Sequence, residues 1–314
     1  MDTFNSIGNA KLIIREVSRV IVGKDETVIK VLLAILAGGH ILMEDIPGVG
    51  KTTMAVSVSR ALGLDYNRVQ FTPDVLPSDI TGYSIYDRNT GTMNYQKGAI
   101  LCNLFLADEL NRATSRTQSA LLQAMEEGEV TVDNQTYPVP KPFIVIATQN
   151  PTGAKGTQML PDSQMDRFML RLSMGYPSHE DEIEMIRRRQ GGVSAESVQQ
   201  VVTKEELLGL RRQVEEVYVK DNMIDYIVSL CERTRRHPQI IQGASPRASL
   251  ALTALSKATA WIQGRDYVLP RDVHFVFQDC ISHRLIWSHE SGDAPSRSAV
   301  LEEILRSVKA PAIR

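Results

Sequence analysis

Ile41-Leu42-Met43-Glu44-Asp45-Ile46-Pro47-Gly48-Val49-Gly50-Lys51-Thr52-Thr53 runs from apolar residues through a Pro/Gly turn into a Lys-Thr helix start. His40 to Met43 reads as a buried strand, and Thr52 to Leu62 carries apolar residues at helical spacing until Gly63 stops it. Strand, glycine turn and helix in that order form the setting a phosphate-binding loop requires. Gly48 and Gly50 let the backbone curl, so that successive N–H groups and the positive end of the helix converge on anionic oxygens. Lys51 then offers a point charge to β- and γ-phosphates, and the Thr52 hydroxyl a ligand for Mg²⁺. Asp45 stands where the strict pattern has its first glycine, which leaves an ordinary lysine-tipped turn as the plain alternative.

Downstream, Leu104-Phe105-Leu106-Ala107 is an apolar strand ending in Asp108-Glu109. Ligands of open α/β sheets gather at the carboxyl ends of strands, so the pair has a chemical reason to be there. Asp108 is placed to hold Mg²⁺ through water and Glu109 to polarise an attacking water as general base. A solvated acidic turn is the alternative. Phe143 to Ala147 forms another buried strand from which Thr148-Gln149-Asn150-Pro151 emerges. A carboxamide at Asn150 suits holding a water or touching a γ-phosphate, although Asn before Pro is also a turn former.

The chain has 314 residues, 43% of them hydrophobic, enough for about two domains with a sizeable core. Lys+Arg 35 against Asp+Glu 37 gives a net charge of -2, so no global basic field recruits nucleic acid. Cys102, Cys231 and Cys280 form no C-x-x-C pair, and buried thiols in a reducing cytoplasm are the expectation. The apolar run Val31 to Met43 is broken by Gly38, Gly39 and His40, and nothing reads as a signal peptide or a membrane span.

The remaining segments arrange themselves around the loop. An amphipathic helix on Ile7, Ala10, Ile14, Val17 and Ile21 precedes one from Asp25 to Ala37. Arg68 to Phe71 is a strand, and Tyr83–Tyr86 with Thr92–Tyr95 a hairpin. Ser115 to Glu127 is a helix closed by Gly128, Val130–Val132 with Thr136–Val139 a second hairpin, and Met169 to Leu172 a last strand. Alternating short strands and helices imply a mostly parallel sheet. Beyond Gly191-Gly192 the chain reads as helical without strand signals, with stripes Leu207/Leu210/Val214/Val217 and Ile224/Ile227/Val228/Cys231. Ser245-Pro246-Arg247 reads as N-cap, first position and a guanidinium at a helix start.

In this order the parts resemble an AAA+ ATPase, and within that class the MoxR family. The resemblance rests on Glu44 to Thr52, Val69 to Gly82, Ala107-Asp108-Glu109-Leu110-Asn111-Arg112-Ala113, Ala147 to Pro151, Asp166-Arg167-Phe168 and Gly243 to Ala248. It implies an α/β P-loop core over residues 1–190, with a mostly parallel five-stranded sheet flanked by helices, and an all-α lid over 191–314. It also implies Mg²⁺-ATP held by Pro47, Gly48, Val49, Gly50, Lys51, Thr52 and Thr53, with Val22 and Gly23 lining the adenine pocket. Asn150 carries over as sensor 1, Arg167 as an arginine finger acting in trans and Arg247 as the sensor 2 arginine. Family members are similar to chaperones that form homo-oligomeric rings, usually hexamers, and remodel client complexes with a von Willebrand factor A domain partner. The hairpin near Tyr83 to Tyr95 looks like a pore-facing insert, and Gly98-Ala99-Ile100 departs from the usual Gly-Pro-Ile.

Two rivals remain open at this level: a nucleic-acid-dependent motor or loader, and a nucleotide-gated scaffold with little turnover. For Arg167, a structural ion pair with Asp162 or Asp166 competes with the finger.

Overall fold

The computed structural model describes residues 3–150, 160–288 and 296–312. Helices α1 (Thr3–Val20) and α2 (Asp25–Leu36) lead into β1 (Ile41–Glu44), α3 (Lys51–Ala61), β2 (Tyr66–Gln70) and α4 (Pro77–Thr81). The hairpin β3 (Gly82–Asp87)/β4 (Thr92–Lys97) is followed by β5 (Leu104–Asp108), α5 (Ser115–Glu127) and the hairpin β6 (Glu129–Val132)/β7 (Gln135–Pro138). Then come β8 (Ile144–Gln149), α6 (Asp162–Met165), β9 (Leu170–Leu172) and α7 (His179–Gln190). The remainder holds α8 (Lys204–Glu215), α9 (Asp221–Arg235), β10 (Ile240–Gln242), α10 (Pro246–Ile262), α11 (Pro270–Ile281), β11 (Ile286–Trp287) and α12 (Arg297–Ser307).

Five strands pair in parallel in the order β2-β5-β8-β1-β9. Register aligns Glu44 with Gln149 and Gln70 with Asp108, so the carboxyl ends of β1, β2, β5 and β8 share one edge. Along each central strand successive side chains enter opposite layers, as the period of two demands. Ile41, Met43, Leu104, Leu106, Ile144 and Ile146 join one core, while Leu42, Phe105, Ala107, Val145 and Ala147 join the other. The first core is continuous with α2 and with the helices beyond residue 200, so lid and sheet are packed together. Because α2 is covered by α1, α8 and α10, its run Val31 to Leu36 is buried all round.

Helix ends follow local chemistry. Thr114 caps α5 by accepting from Thr117 N, and Gly128 ends it in the left-handed region. Thr203 and Glu206 form a reciprocal capping box on α8. Cys102, Cys231 and Cys280 are buried free thiols, and no described helix is long and apolar enough to cross a membrane.

Three expectations need correction. The helical part contains a two-stranded antiparallel sheet, β10 with β11, whose strands are too short to show a period. On α9 the buried stripe is Met223, Tyr226, Ile227, Leu230 and Cys231, while Ile224 and Val228 are exposed, a rotation of one position from the expected face. Ser245 stands at the N-cap position of α10, but its hydroxyl donates to Asp166 Oδ2 (3.0 Å) instead of accepting from the helix.

Candidate nucleotide-binding site

The turn after β1 is shaped by its glycines. Gly48 (φ 86°) and Gly50 (φ 99°) both adopt left-handed backbone, and Gly50 caps α3 without any side-chain acceptor for the first-turn N–H groups. A helix start left uncapped by side chains, with a lysine at its first position, is chemically suited to a phosphate. Lys51 is buried and its Nζ donates to Asp45 O at 2.6 Å. Burial pulls its pKa below the ordinary lysine range, against the opposing pull of the Asp45, Asp108 and Glu109 carboxylates.

Asp45, the residue in place of a glycine, has a definite partner set. Its carboxylate accepts from Met174 N, Gly175 N (3.1 Å) and Ser173 Oγ (3.2 Å), tying the loop to the strap that leaves β9. That strap continues to Asp181, which packs against Gly23, and Tyr176 O accepts from Lys24 Nζ (2.9 Å). The Val22-Gly23 corner between α1 and α2 is thereby held by the same strap that Asp45 grips.

Across the edge, Asp108 ends β5, and both of its oxygens are engaged. Thr148 Oγ1 donates to Oδ1 (2.6 Å) and Arg68 to Oδ2 (2.6 Å). The same Thr148 oxygen accepts from Glu109 N (2.8 Å), holding Glu109 at φ 55°, uncommon for a residue other than glycine. Glu109 Oε2 is paired with Arg112 (2.8 Å), and Asn150 Nδ2 donates to Oε1 (3.3 Å). Arg112 is the main cause holding the Glu109 carboxyl below the usual glutamate range, with Gln70 and Asn150 helping. Asn150 is in turn fixed by Asn111, which donates to its carbonyl at 3.2 Å. Pro151 lies outside the described residues. Thr52, in the first turn of α3, and Asp108 are hard oxygen donors fit for Mg²⁺ that takes its other ligands from phosphate and water.

The two expected arginines lie elsewhere. Arg167 and Arg247 line a cavity of about 440 Å³ with Gly38, Gly39, His40 and Met169, which precede β1 and β9. This is the amino end of the sheet, the opposite end from the loop. One carboxylate, Glu126 at the end of α5, pairs with both: Oε2 with Arg167 at 3.0 Å and Oε1 with Arg247. Neither Asp162 nor Asp166 pairs with Arg167, whose Nε is buried without a partner among the described residues. Asp166 instead pairs with the buried Arg284.

Thr148, Arg68, Arg112, Glu126 and Arg284 were not singled out by sequence reasoning. Only Thr148 and Arg112 had a signal, as members of the quoted motif stretches; the others act across long separations.

Residues 40–170 match the ATPase family associated with various cellular activities (AAA), and residues 232–304 match the AAA lid domain. Glycine loop, acidic strand end and helical lid thus define an AAA+ ATPase. Over 96% of its length the chain is 43% identical to the uncharacterised protein YeaC of Bacillus subtilis, covering 94% of that protein. It is 39% identical to chaperone MoxR1 of Mycobacterium tuberculosis (95% of this chain, 81% of that one). A crystal structure of a candidate ATPase from Cytophaga hutchinsonii superposes with a TM-score of 0.91 at 38% identity, over 99% of this chain and 97% of that one. The chain belongs to the MoxR family of AAA+ ATPases.

Proposed function

We propose that this protein hydrolyses Mg²⁺-ATP at the contacts between subunits of a homo-oligomeric ring, hexameric as in its resemblance, and uses the turnover to remodel client proteins in the cytoplasm. The observation that carries the trans arrangement is the separation of Lys51 from Arg167 and Arg247. They sit at opposite ends of β1, about 13 Å of strand apart at ~3.3 Å per residue. An arginine so far from its own loop serves a phosphate bound by the next subunit.

In this reading Lys51 and the first-turn N–H groups of α3 hold the phosphates, with the Val22-Gly23 corner beside the adenine. Thr52 and Asp108 would hold Mg²⁺, which would supply positive charge to offset that of the phosphates. Glu109, kept ionised by Arg112, accepts the proton of the attacking water. Asn150 orients Glu109 and the water. Arg167 and Arg247 of the neighbour leave Glu126 and stabilise the γ-phosphate as charge develops. The chaperone name of MoxR1 and the exposed Tyr83, Ile85, Tyr86 and Met93 on the β3/β4 hairpin support a protein client; a von Willebrand factor A domain partner rests on the family resemblance alone.

Complementation tests the scheme. Lys51→Ala chains and Arg167→Ala chains, each inactive alone, regain ATPase activity when mixed. A mixture no more active than its separate components overturns hydrolysis in trans.

A further inference from the structure

The root of the proposed finger is held by the lid. Asp166 and Phe168, the residues on either side of Arg167, lie between α6 and β9 of the core. Arg284, in the turn after α11, donates from Nη1 to Asp166 O (2.9 Å) and pairs with the Asp166 carboxylate. Its Nη2 donates to Phe168 O (2.8 Å), and its Nε to Cys280 O (2.9 Å) on α11. His283 is buried, and burial with the adjacent guanidinium pushes its pKa down to about 3. It is therefore neutral, and its Nε2 donates to the same Phe168 O at 2.9 Å. Ser245 adds a bond to the other oxygen of the Asp166 carboxylate.

These bonds are uneven in a telling way. The Arg284 side chain is 3% exposed, and a planar fork this deeply buried fixes its acceptors in one geometry. Arg167 itself, between the two clamped residues, has one ion pair, to Glu126, among the described residues. A fixed backbone carrying a lightly held guanidinium is what a group handed to a neighbouring molecule needs.

We infer that Arg284, assisted by His283, is a positioning residue for Arg167: the lid sets where the finger points, so its posture governs hydrolysis on the adjacent subunit and not on its own. This rests on the trans reading above. The role differs from simple domain docking in being one-sided. A placement error of ~1 Å in a catalytic group costs about a hundredfold in rate, and it arises only from a change in the subunit donating the finger, the loss being read at its neighbour's site.

The experiment places Arg284→Lys, which keeps a cation opposite Asp166 but loses the fork to Phe168 O, in one member of the complementing pair at a time. In the Lys51→Ala chain, the finger donor, it lowers the regained ATPase rate about tenfold to a hundredfold. In the Arg167→Ala chain, the nucleotide holder, it leaves the regained rate within about twofold, because that chain's finger is already gone. Binding of a fluorescent ATP analogue by the second chain and co-assembly of the first are measured alongside. Equal losses on both sides, or no loss on the donor side, overturn the positioning role. Absence of complementation in the parent pair overturns the trans reading itself, a separate outcome.

Discussion

At the carboxyl end of the sheet, the groups around Lys51 come from short stretches with a strand or helix end behind each: the β1–α3 turn, Asp108-Glu109 and Thr148 to Asn150. At the amino end, Glu126, Arg167, Arg247 and Arg284 come from four separated segments, and Glu126 meets Arg247 across 121 residues of sequence. The first end presents backbone donors and one buried lysine among carboxylates. The second presents guanidinia shared by a single exposed carboxylate. In the proposed scheme one end receives an anion and the other supplies cations, and the length of β1 keeps the two apart within one chain. In the proposed trans scheme, the pairing of unlike ends between copies gives assembly a chemical purpose.

The comparison breaks most visibly at Arg167. Arg167→Ala is expected to lower the ATPase rate of the assembled protein by about 10³-fold or more while leaving ATP affinity near that of the parent, as measured by steady-state turnover and analogue binding. A parallel fall in affinity would place the arginine in a binding role instead. Next in size is Glu109→Gln, expected to cost about 10²- to 10⁴-fold in turnover with ATP still bound. A chain still turning over at the parental rate would remove Glu109 from the mechanism.

Acid should separate the two ends. Glu109 has a depressed pKa, so the stability it contributes is present above its unfolded value and is lost only as pH falls through the lower folded value. The amino end instead depends on neutral histidines: His40, pushed down to about 4 by burial, accepts from Val145 N and bonds Met125 O beside Glu126. His283, at about 3, bonds Phe168 O beside Arg167. The unfolded chain binds a proton at each that the folded chain refuses, so stability falls as pH drops from about 6.5 toward about 4, by roughly 1.4 kcal/mol per pH unit per histidine. Urea denaturation at stepped pH measures this slope, and His40→Gln should remove about one proton's share of it.

The smallest expected effect is at Glu126. Assembly must release both arginines from it, and exposed ion pairs are worth about 0–1 kcal/mol. Glu126→Gln should therefore lower the protein concentration giving half-maximal specific ATPase activity by about twofold to fivefold. An unchanged or higher concentration would mean that Glu126 does not compete with the neighbour's phosphate.

What the sequence made legible follows the same division. The β1–α3 loop, the acidic end of β5 and the bounds of α5 were readable because turn glycines, strand ends and caps act within a few residues. Asp45 was visible only as a departure from a pattern; its reason, three donors on the strap after β9, lies about 130 residues away. Glu126 reads as one of two acids on a solvated helix end, and Arg284 as a cation after an amphipathic helix, until folding brings their partners. The pair β10/β11 escaped because two or three residues carry no period. The α9 face was misjudged because Ile224 and Val228 look as apolar as the residues that are in fact buried.

The most direct measurement is a cryo-EM structure of the assembled Glu109→Gln protein with Mg²⁺-ATP. The account predicts Arg167 released from Glu126 and bonded to the γ-phosphate of the nucleotide held by the adjacent subunit's Lys51. A γ-phosphate touched only by the subunit that binds it, with Arg167 still on its own Glu126, would contradict it.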